Sequence, residues 1–162
     1  MSGGSIELRP LEDGMRAAVL GLGLGPGQEQ FSGAPARTLA LGDAKPSREH
    51  VVIVRGGVPV GYFQLDRDSV PGAPSGPDVI GLRALLVDVA AQGEGVASAA
   101  MAALPAYVRT RFPERRRVAL TVNVTNPAAI AVYRRAGFSD TGEVYLAGPA
   151  GPQHVLVLEV TA

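Results

Sequence analysis

Leu85-Leu86-Val87-Asp88-Val89-Ala90-Ala91-Gln92-Gly93-Glu94-Gly95-Val96-Ala97 is the stretch whose reading decides the fold. Its first half closes a dense apolar run, Ile80 to Val89, with the composition of a buried strand. From Gly95 to about Arg111 the chain turns Ala-rich with helical spacing. A strand therefore passes into a helix through a short glycine-containing turn. Small residues there leave several backbone amides unobstructed at the positive end of a helix, which makes an anion cradle. A pyrophosphate is the natural guest, since its oxygens can approach the backbone closely. A strand-turn-helix junction also needs glycine for structural reasons alone, so the cradle by itself does not decide the chemistry. Glu94 should turn its carboxylate to solvent and offer only its amide, because a negative side chain beside phosphates would repel them.

Upstream, Ile6 to Arg9 alternates as a first strand stopped at Pro10, and a helix-loop region follows to about Leu41. Gly21, Gly23, Gly25 and Gly27 within it lack the following Gly-Lys-Ser/Thr of a phosphate loop and read as a helix end and turn. His50 to Val54 and Val58 to Asp66 form a hairpin around Gly56-Gly57, with Pro59 expected on an unpaired side. Asp68 to Asp78 carries Pro71, Pro74 and Pro77 and reads as a loop able to lie over a neighbouring cleft. Downstream, Val118 to Val124 is a strand and Pro127 to Arg135 a helix started by Asn126 and closed by Gly137. Val144 to Ala147 and Val155 to Val160 complete the strands. Pro105, inside the long helix, should bend it. The result is one mixed α+β domain over residues 1–162.

The bulk numbers narrow the function. Lys plus Arg and Asp plus Glu both total 15, so nothing favours nucleic acid or an anionic membrane. The basic run Arg115-Arg116-Arg117 reads as a solvated loop. With no cysteine and only His50 and His154, no metal site is expected. There is no signal-peptide pattern and no long apolar run, so a cytoplasmic location is expected.

Two motifs then resemble one family. Gln92-Gly93-Glu94-Gly95-Val96-Ala97 after Val87-Asp88 resembles the Gln/Arg-x-x-Gly-x-Gly/Ala acyl-CoA signature of the GNAT N-acetyltransferases. Asn126, Ala129, Tyr133, Gly137 and Phe138 match that family's Asn-x-x-Ala-x-x-x-Tyr-x-x-x-Gly-Phe helix at every position. The resemblance implies a mostly antiparallel sheet of about seven strands flanked by helices and splayed between the fourth and fifth strands. It implies acetyl-CoA as cosubstrate, with the amides of Gln92, Gly93, Glu94, Gly95, Val96 and Ala97 on the pyrophosphate. Backbone groups of Leu86, Val87 and Val89 would pair with the pantetheine arm as an added strand. Asn126, with Ala129 beside it, would reach the pantetheine, and Tyr133 would protonate the departing thiolate. The ordinary reading of Tyr133 is a ring packed in the core.

No general base is assigned. Relatives that acetylate protein N-termini carry a Glu where this chain has Thr121, and no carboxylate lies between Val79 and Val87. Asp66, Asp68 and Asp78 are candidates through a water, and Thr121 and Asn123 could line a water path. The run Leu20 to Phe31 with Gln28, the segment Val60-Gly61-Tyr62-Phe63 and the closing Gly151 to Leu156 also resemble bacterial polyamine acetyltransferases. A polyamine would need carboxylates, for which Glu29, Asp43, Asp66, Asp68 and Asp78 are available. The expected partner is a small-molecule amine, with a homodimer left open. The alternatives are an acyl-CoA-binding sensor or regulatory domain without turnover, and an enzyme acting on a protein or peptide amine.

Overall fold

The computed structural model describes residues 4–28 and 33–160. Glu29 and Phe31 therefore lie outside the described residues. The chain runs β1 (Ile6–Pro10), α1 (Arg16–Leu20), α2 (Pro35–Asp43), β2 (Arg48–Arg55), β3 (Val58–Asp66), β4 (Val79–Val87), α3 (Val96–Arg111), β5 (Arg117–Asn123), α4 (Pro127–Arg135), β6 (Ser139–Tyr145) and β7 (Gln153–Glu159). These strands make one seven-stranded sheet in the order β1-β2-β3-β4-β5-β7-β6. Every neighbouring pair is antiparallel except β4 and β5, which run parallel.

Period-two alternation assigns the two faces. Val51 and Ile53 of β2 point into the larger core with Ala100, Met101, Leu104 and Val108 of α3. Val52 and Val54 point the other way, into a smaller core with Val19 of α1 and Leu39 of α2. The helices thus cover both faces of the middle of the sheet, and a fully buried side chain such as Leu104 contributes about 1.5–3 kcal/mol there. The β2–β3 turn places Gly56 at φ 57° and Gly57 at φ 83°, left-handed values that suit the twist of a tight hairpin. Pro59 sits beside the register shift at Ile53/Val54, where β4 has not yet begun to pair.

Three expectations need correction. β4 ends at Val87, not Val89, because residues 89–91 form a single 3₁₀ turn. That turn is fastened to the 21–27 segment: the Val89 amide donates to the Gly23 carbonyl at 2.9 Å, and the Gly23 amide donates to Asp88 Oδ1 at 2.8 Å. β6 starts at Ser139, five residues before the expected Val144, and its register shifts between Asp140 and Val144. Pro105 lies inside α3, which is one helix from Val96 to Arg111. Arg115 is not solvated: its guanidinium donates to the carbonyls of Gly76 at 3.0 Å and Val79 at 2.7 Å, tying the 68–78 loop to the start of β4.

The feature that positions the site is where β4 and β5 stop pairing. Their ladder comprises Val79↔Arg117, Ile80↔Val118 and Gly81↔Ala119, and beyond Gly81 the strands part. Against β3, the register shifts between Tyr62↔Leu86 and Gln64↔Arg83, so Ala84 and Leu85 together oppose Phe63. This is a β-bulge, and Ala84 carries its left-handed turn at φ 61°. The bulge bends β4 away from β5 and opens the sheet at its centre.

Candidate active site

Two cavities meet at the opening. The first, about 800 Å³, is lined by Leu86 and Val87 of β4, Gln92, Gly93, Gly95, Val96, Ala97 and Ser98 of the turn and α3, and Asn126 and Ala129 of α4. The second, about 700 Å³, lies beneath α2 and is lined by Arg83, Thr121, Asn123, Asn126, Ala129 and Tyr133, among others. Leu85, Asn126 and Ala129 belong to both.

The cradle is built by backbone conformation. Gly93 and Gly95 have φ values of 80° and 78°, and a Cβ added at either would meet nothing within 4 Å. Glycine is therefore required by the left-handed turns themselves, and the space in front of them is open. Gly95 is the N-cap of α3 and supplies no side-chain cap, while the first helical bond runs from the Ala99 amide to the Gly95 carbonyl. The amides of Val96, Ala97 and Ser98 precede that bond and face the first cavity with no intrahelical partner. Glu94 turns its carboxylate away from the cavity to Arg55, 2.8 Å distant.

The strand edge is set by alternation. The Asp88 amide donates to the Val60 carbonyl at 2.8 Å, so Asp88 faces β3 and its neighbour Val87 faces the opening. Leu86 faces β3 as Asp88 does, and its carbonyl lies against Gly61. Of Leu86, Val87 and Val89, only Val87 turns its backbone groups to the gap, since the Val89 amide is already bonded to Gly23. The Val87 carbonyl accepts from Gln92 Nε2 at 3.0 Å. Gln92 also exchanges two amide bonds with Gln28, at 2.8 and 3.1 Å. Its side chain thus braces the turn against the 23–28 loop instead of reaching toward a ligand.

Sequence reasoning missed this loop as a wall, although Pro26, Gly27 and Gln28 line the first cavity. It also missed Arg135 at the same cavity, a cation in the last turn of α4 that makes no ion pair among the described residues. The sign of its charge was the available signal.

Asn126 caps α4 by accepting the Ala129 amide at 3.3 Å, which leaves its side-chain NH₂ as a donor toward both cavities. Tyr133 is 6 % exposed and packs edge-to-face on Phe138 with centroids 5.4 Å apart. Burial pushes its phenol well above the ordinary tyrosine range, so the hydroxyl stays protonated. That hydroxyl makes no hydrogen bond to another described residue, and the side chain lines the second cavity.

The candidate bases do not reach this place. Asp66 is 3 % exposed and accepts from Arg48 Nε at 3.1 Å and from the Asp68 amide at 2.9 Å. Burial acts to raise its carboxyl, but the bonds from the Asp68 amide and Ser47 and the guanidinium groups of Arg83 and Arg48 outweigh that and hold it low. Asp78 pairs with Arg117 at 3.5 Å. Neither these nor Asp68 line either cavity. Thr121 and Asn123 do line the second, but Asn123 is committed to Thr125 and to the Ala150 carbonyl.

A family model described as the acetyltransferase (GNAT) family matches residues 20–138. The chain belongs to the GNAT acetyltransferase family. It is 32 % identical over 130 residues to an uncharacterized N-acetyltransferase, YbbJ, of Bacillus subtilis, covering 79 % of this chain and 81 % of that one. The same fold recurs in an aminoglycoside acetyltransferase, AAC(6')-Ib, solved with paromomycin and acetyl-CoA, at a TM-score of 0.76 and 23 % identity over 96 % of this chain and 93 % of that one. It recurs in a spermidine N-acetyltransferase from Vibrio cholerae solved with CoA and spermine, at a TM-score of 0.71 and 17 % identity over 96 % and 95 % of the two chains. This acetyltransferase is an acyl-CoA-dependent enzyme with acetyl-CoA as its cosubstrate. No helix of the described residues is long and apolar enough to cross a membrane.

Proposed function

We propose that this acetyltransferase transfers an acetyl group to the primary amine of a small molecule held in the second cavity, by direct attack on the thioester. The observation that carries the reading is the parting of β4 from β5 beyond Gly81, with unpartnered helix amides on one side and a free, buried phenol on the other. Acetyl-CoA supplies the activated acyl group and its thiol leaving group. The amides of Val96, Ala97 and Ser98 hold the pyrophosphate at the positive end of α3. Val87 pairs with the pantetheine amides in place of the missing β5 partner, the Asn126 NH₂ donates to the same arm, and Arg135 offers a cation to a phosphate.

The neutral amine attacks the carbonyl, a C–N bond forms, and the C–S bond breaks. Tyr133 gives its proton to the thiolate and regains one from the attacking nitrogen through water. Low exposure at Tyr133 supports this assignment, because burial keeps the phenol protonated and able to donate; the thiolate is the weaker base, so the transfer is drawn to completion by the phenolate's recapture of the amine proton. A thiol-release assay with acetyl-CoA and a panel of primary amines tests the proposal. Release dependent on both substrates is expected. Release with water alone would make the chain a thioester hydrolase, and none with any amine despite tight acetyl-CoA binding would make it a sensor.

A further inference from the structure

The acceptor cavity is cationic. Three arginines line it, Arg37 of α2, Arg48 of β2 and Arg83 of β4, and no carboxylate does among the described residues. Arg48 is spent, since it sits 3.1 Å from Asp66 and also donates to Gln64 at 3.4 Å. Arg83 is different. Its Nε is buried with no hydrogen-bond partner, the only such side-chain atom among the described residues, and its one ion-pair distance, to Asp66, is 3.9 Å. Arg37 is exposed at the cavity's edge and pairs with no described acid. Nε itself is closed to the cavity, but the side chain is 24 % accessible and its terminal nitrogens bond no described residue, so a guest oxyanion meeting them supplies the partner this charge lacks.

We propose that the acceptor is a primary amine that also carries an oxyanion, of the amino-acid class, and that Arg83 is the residue that holds the oxyanion. This rests on the acetyl-transfer reading above. A planar guanidinium matches a carboxylate or phosphonate bidentately, and the shared charge of Arg83 and Arg48 against the single Asp66 leaves the pocket positive toward a guest. The same field disfavours an ammonium nearby, which helps the amine enter as the neutral nucleophile in a cavity whose described residues include no carboxylate base. It also opposes a polyamine, whose several cations would face like charges with no acid among the described residues lining the wall. The polyamine resemblance of the N-terminal half is therefore not carried into the substrate. Asp43, one of the acids available for it, is bonded to Arg16 at 3.0 Å and to His50 at 2.9 Å, outside the cavity lining.

The test uses the full chain loaded with coenzyme A for calorimetric binding, and with acetyl-CoA for thiol release. The probes are free amino acids and 2-aminoethylphosphonate, the carboxamides of the same amino acids, and spermidine. The expected result is a kcat/KM at least about 10-fold higher for at least one oxyanion amine than for its matched carboxamide, with spermidine poorer still. In Arg83→Gln, KM for the oxyanion amine should rise at least about 10-fold while its carboxamide and acetyl-CoA are unaffected, and Arg83→Lys should recover part of the loss. Preference for amino acids over the phosphonate, or the reverse, identifies which oxyanion is read. Turnover of spermidine or carboxamides at the rate of the acids would overturn the proposal while leaving acetyl transfer standing. So would an equal effect of Arg83→Gln on all amines, or no heat from any oxyanion amine with the coenzyme-loaded protein. Failure of acetyl-CoA itself to bind would instead strike at the acetyl-transfer reading.

Discussion

A single phenol and a pair of glycines carry most of the chemistry proposed for this acetyltransferase. Tyr133 has a packed ring and an uncommitted hydroxyl, so Tyr133→Phe removes one function and spares the other. General acid catalysis typically contributes about 10²–10⁴-fold, and a thiol leaving group needs it less than most. The variant should lose roughly 10-fold to 10³-fold in kcat while binding acetyl-CoA as the parent does, by rapid kinetics and calorimetry side by side. Because burial raises the phenol above its ordinary range, the acid stays available across neutral and mildly alkaline pH, and its loss should not shape the rate profile there. Unchanged kcat with chemistry rate-limiting would mean that water protonates the thiolate. Gly95 sits at φ 78° before open space, so a valine side chain there would project into the cradle and strain the turn by about 1–2 kcal/mol. Gly95→Val should weaken acetyl-CoA binding about 10-fold or more, whereas Gly95→Asn, which tolerates the left-handed turn, controls for the strain. Equal affinity in a folded Gly95→Val protein would remove the turn from the cofactor site.

At the scale of elements, what could be read in advance and what could not divide along physical lines. Strands with one strong pattern were legible: β2 and β3 alternate between two cores, and their Gly-Gly turn has the chemistry of a tight hairpin. α4 was legible to the residue because Asn126-Pro127 and Gly137 punctuate it. β6 was not, since six of its seven residues are exposed and no apolar alternation marks it. The bulge at Ala84 was invisible for a related reason: a left-handed alanine has no sequence signal, and only pairing against β3 reveals it. The cradle residues were named from their glycines, but the orientation of Leu86, Val87 and Val89 depends on hydrogen-bond alternation that composition does not encode. The role of α2 was equally hidden. Gly42 brings that helix onto the sheet so closely that a Cβ would overlap the His50 ring and lie 2.8 Å from Gln64 Nε2. There Gln64 donates to the Thr38 carbonyl at 2.7 Å and to the Tyr62 hydroxyl, which bonds His50 in turn. Gly42→Ala gains helix propensity of up to about 1 kcal/mol but forces this buried chain apart, at about 1–3 kcal/mol. Urea unfolding should show a net loss of roughly 1–2 kcal/mol, and a stabilised variant would mean that α2 can lift without cost.

Over the whole molecule, the sheet works as a hinge of pairing more than of motion. Pairing between β4 and β5 holds at Val79 to Gly81 and is abandoned beyond, so a sheet that is continuous at one end is split at the other. The split is kept open by the bulge on one side and by the return of β5 into α4 on the other, and both helix N-termini, those of α3 and α4, line the first cavity. The second cavity collects the phenol, the arginines, and Val70 and Pro71 of the 68–78 loop, which does lie over the cleft as its length suggested. In the proposed reading, donor and acceptor take separate chambers that share Leu85, Asn126 and Ala129, the place where an acyl group would change hands. The most direct test follows the backbone amides by nuclear magnetic resonance as acetyl-CoA is added to the intact protein. The largest shifts should fall on Val87, Val96, Ala97, Ser98 and the Asn126 side chain; shifts concentrated elsewhere, with those amides unmoved at saturation, would contradict a cofactor site in the split between β4 and β5.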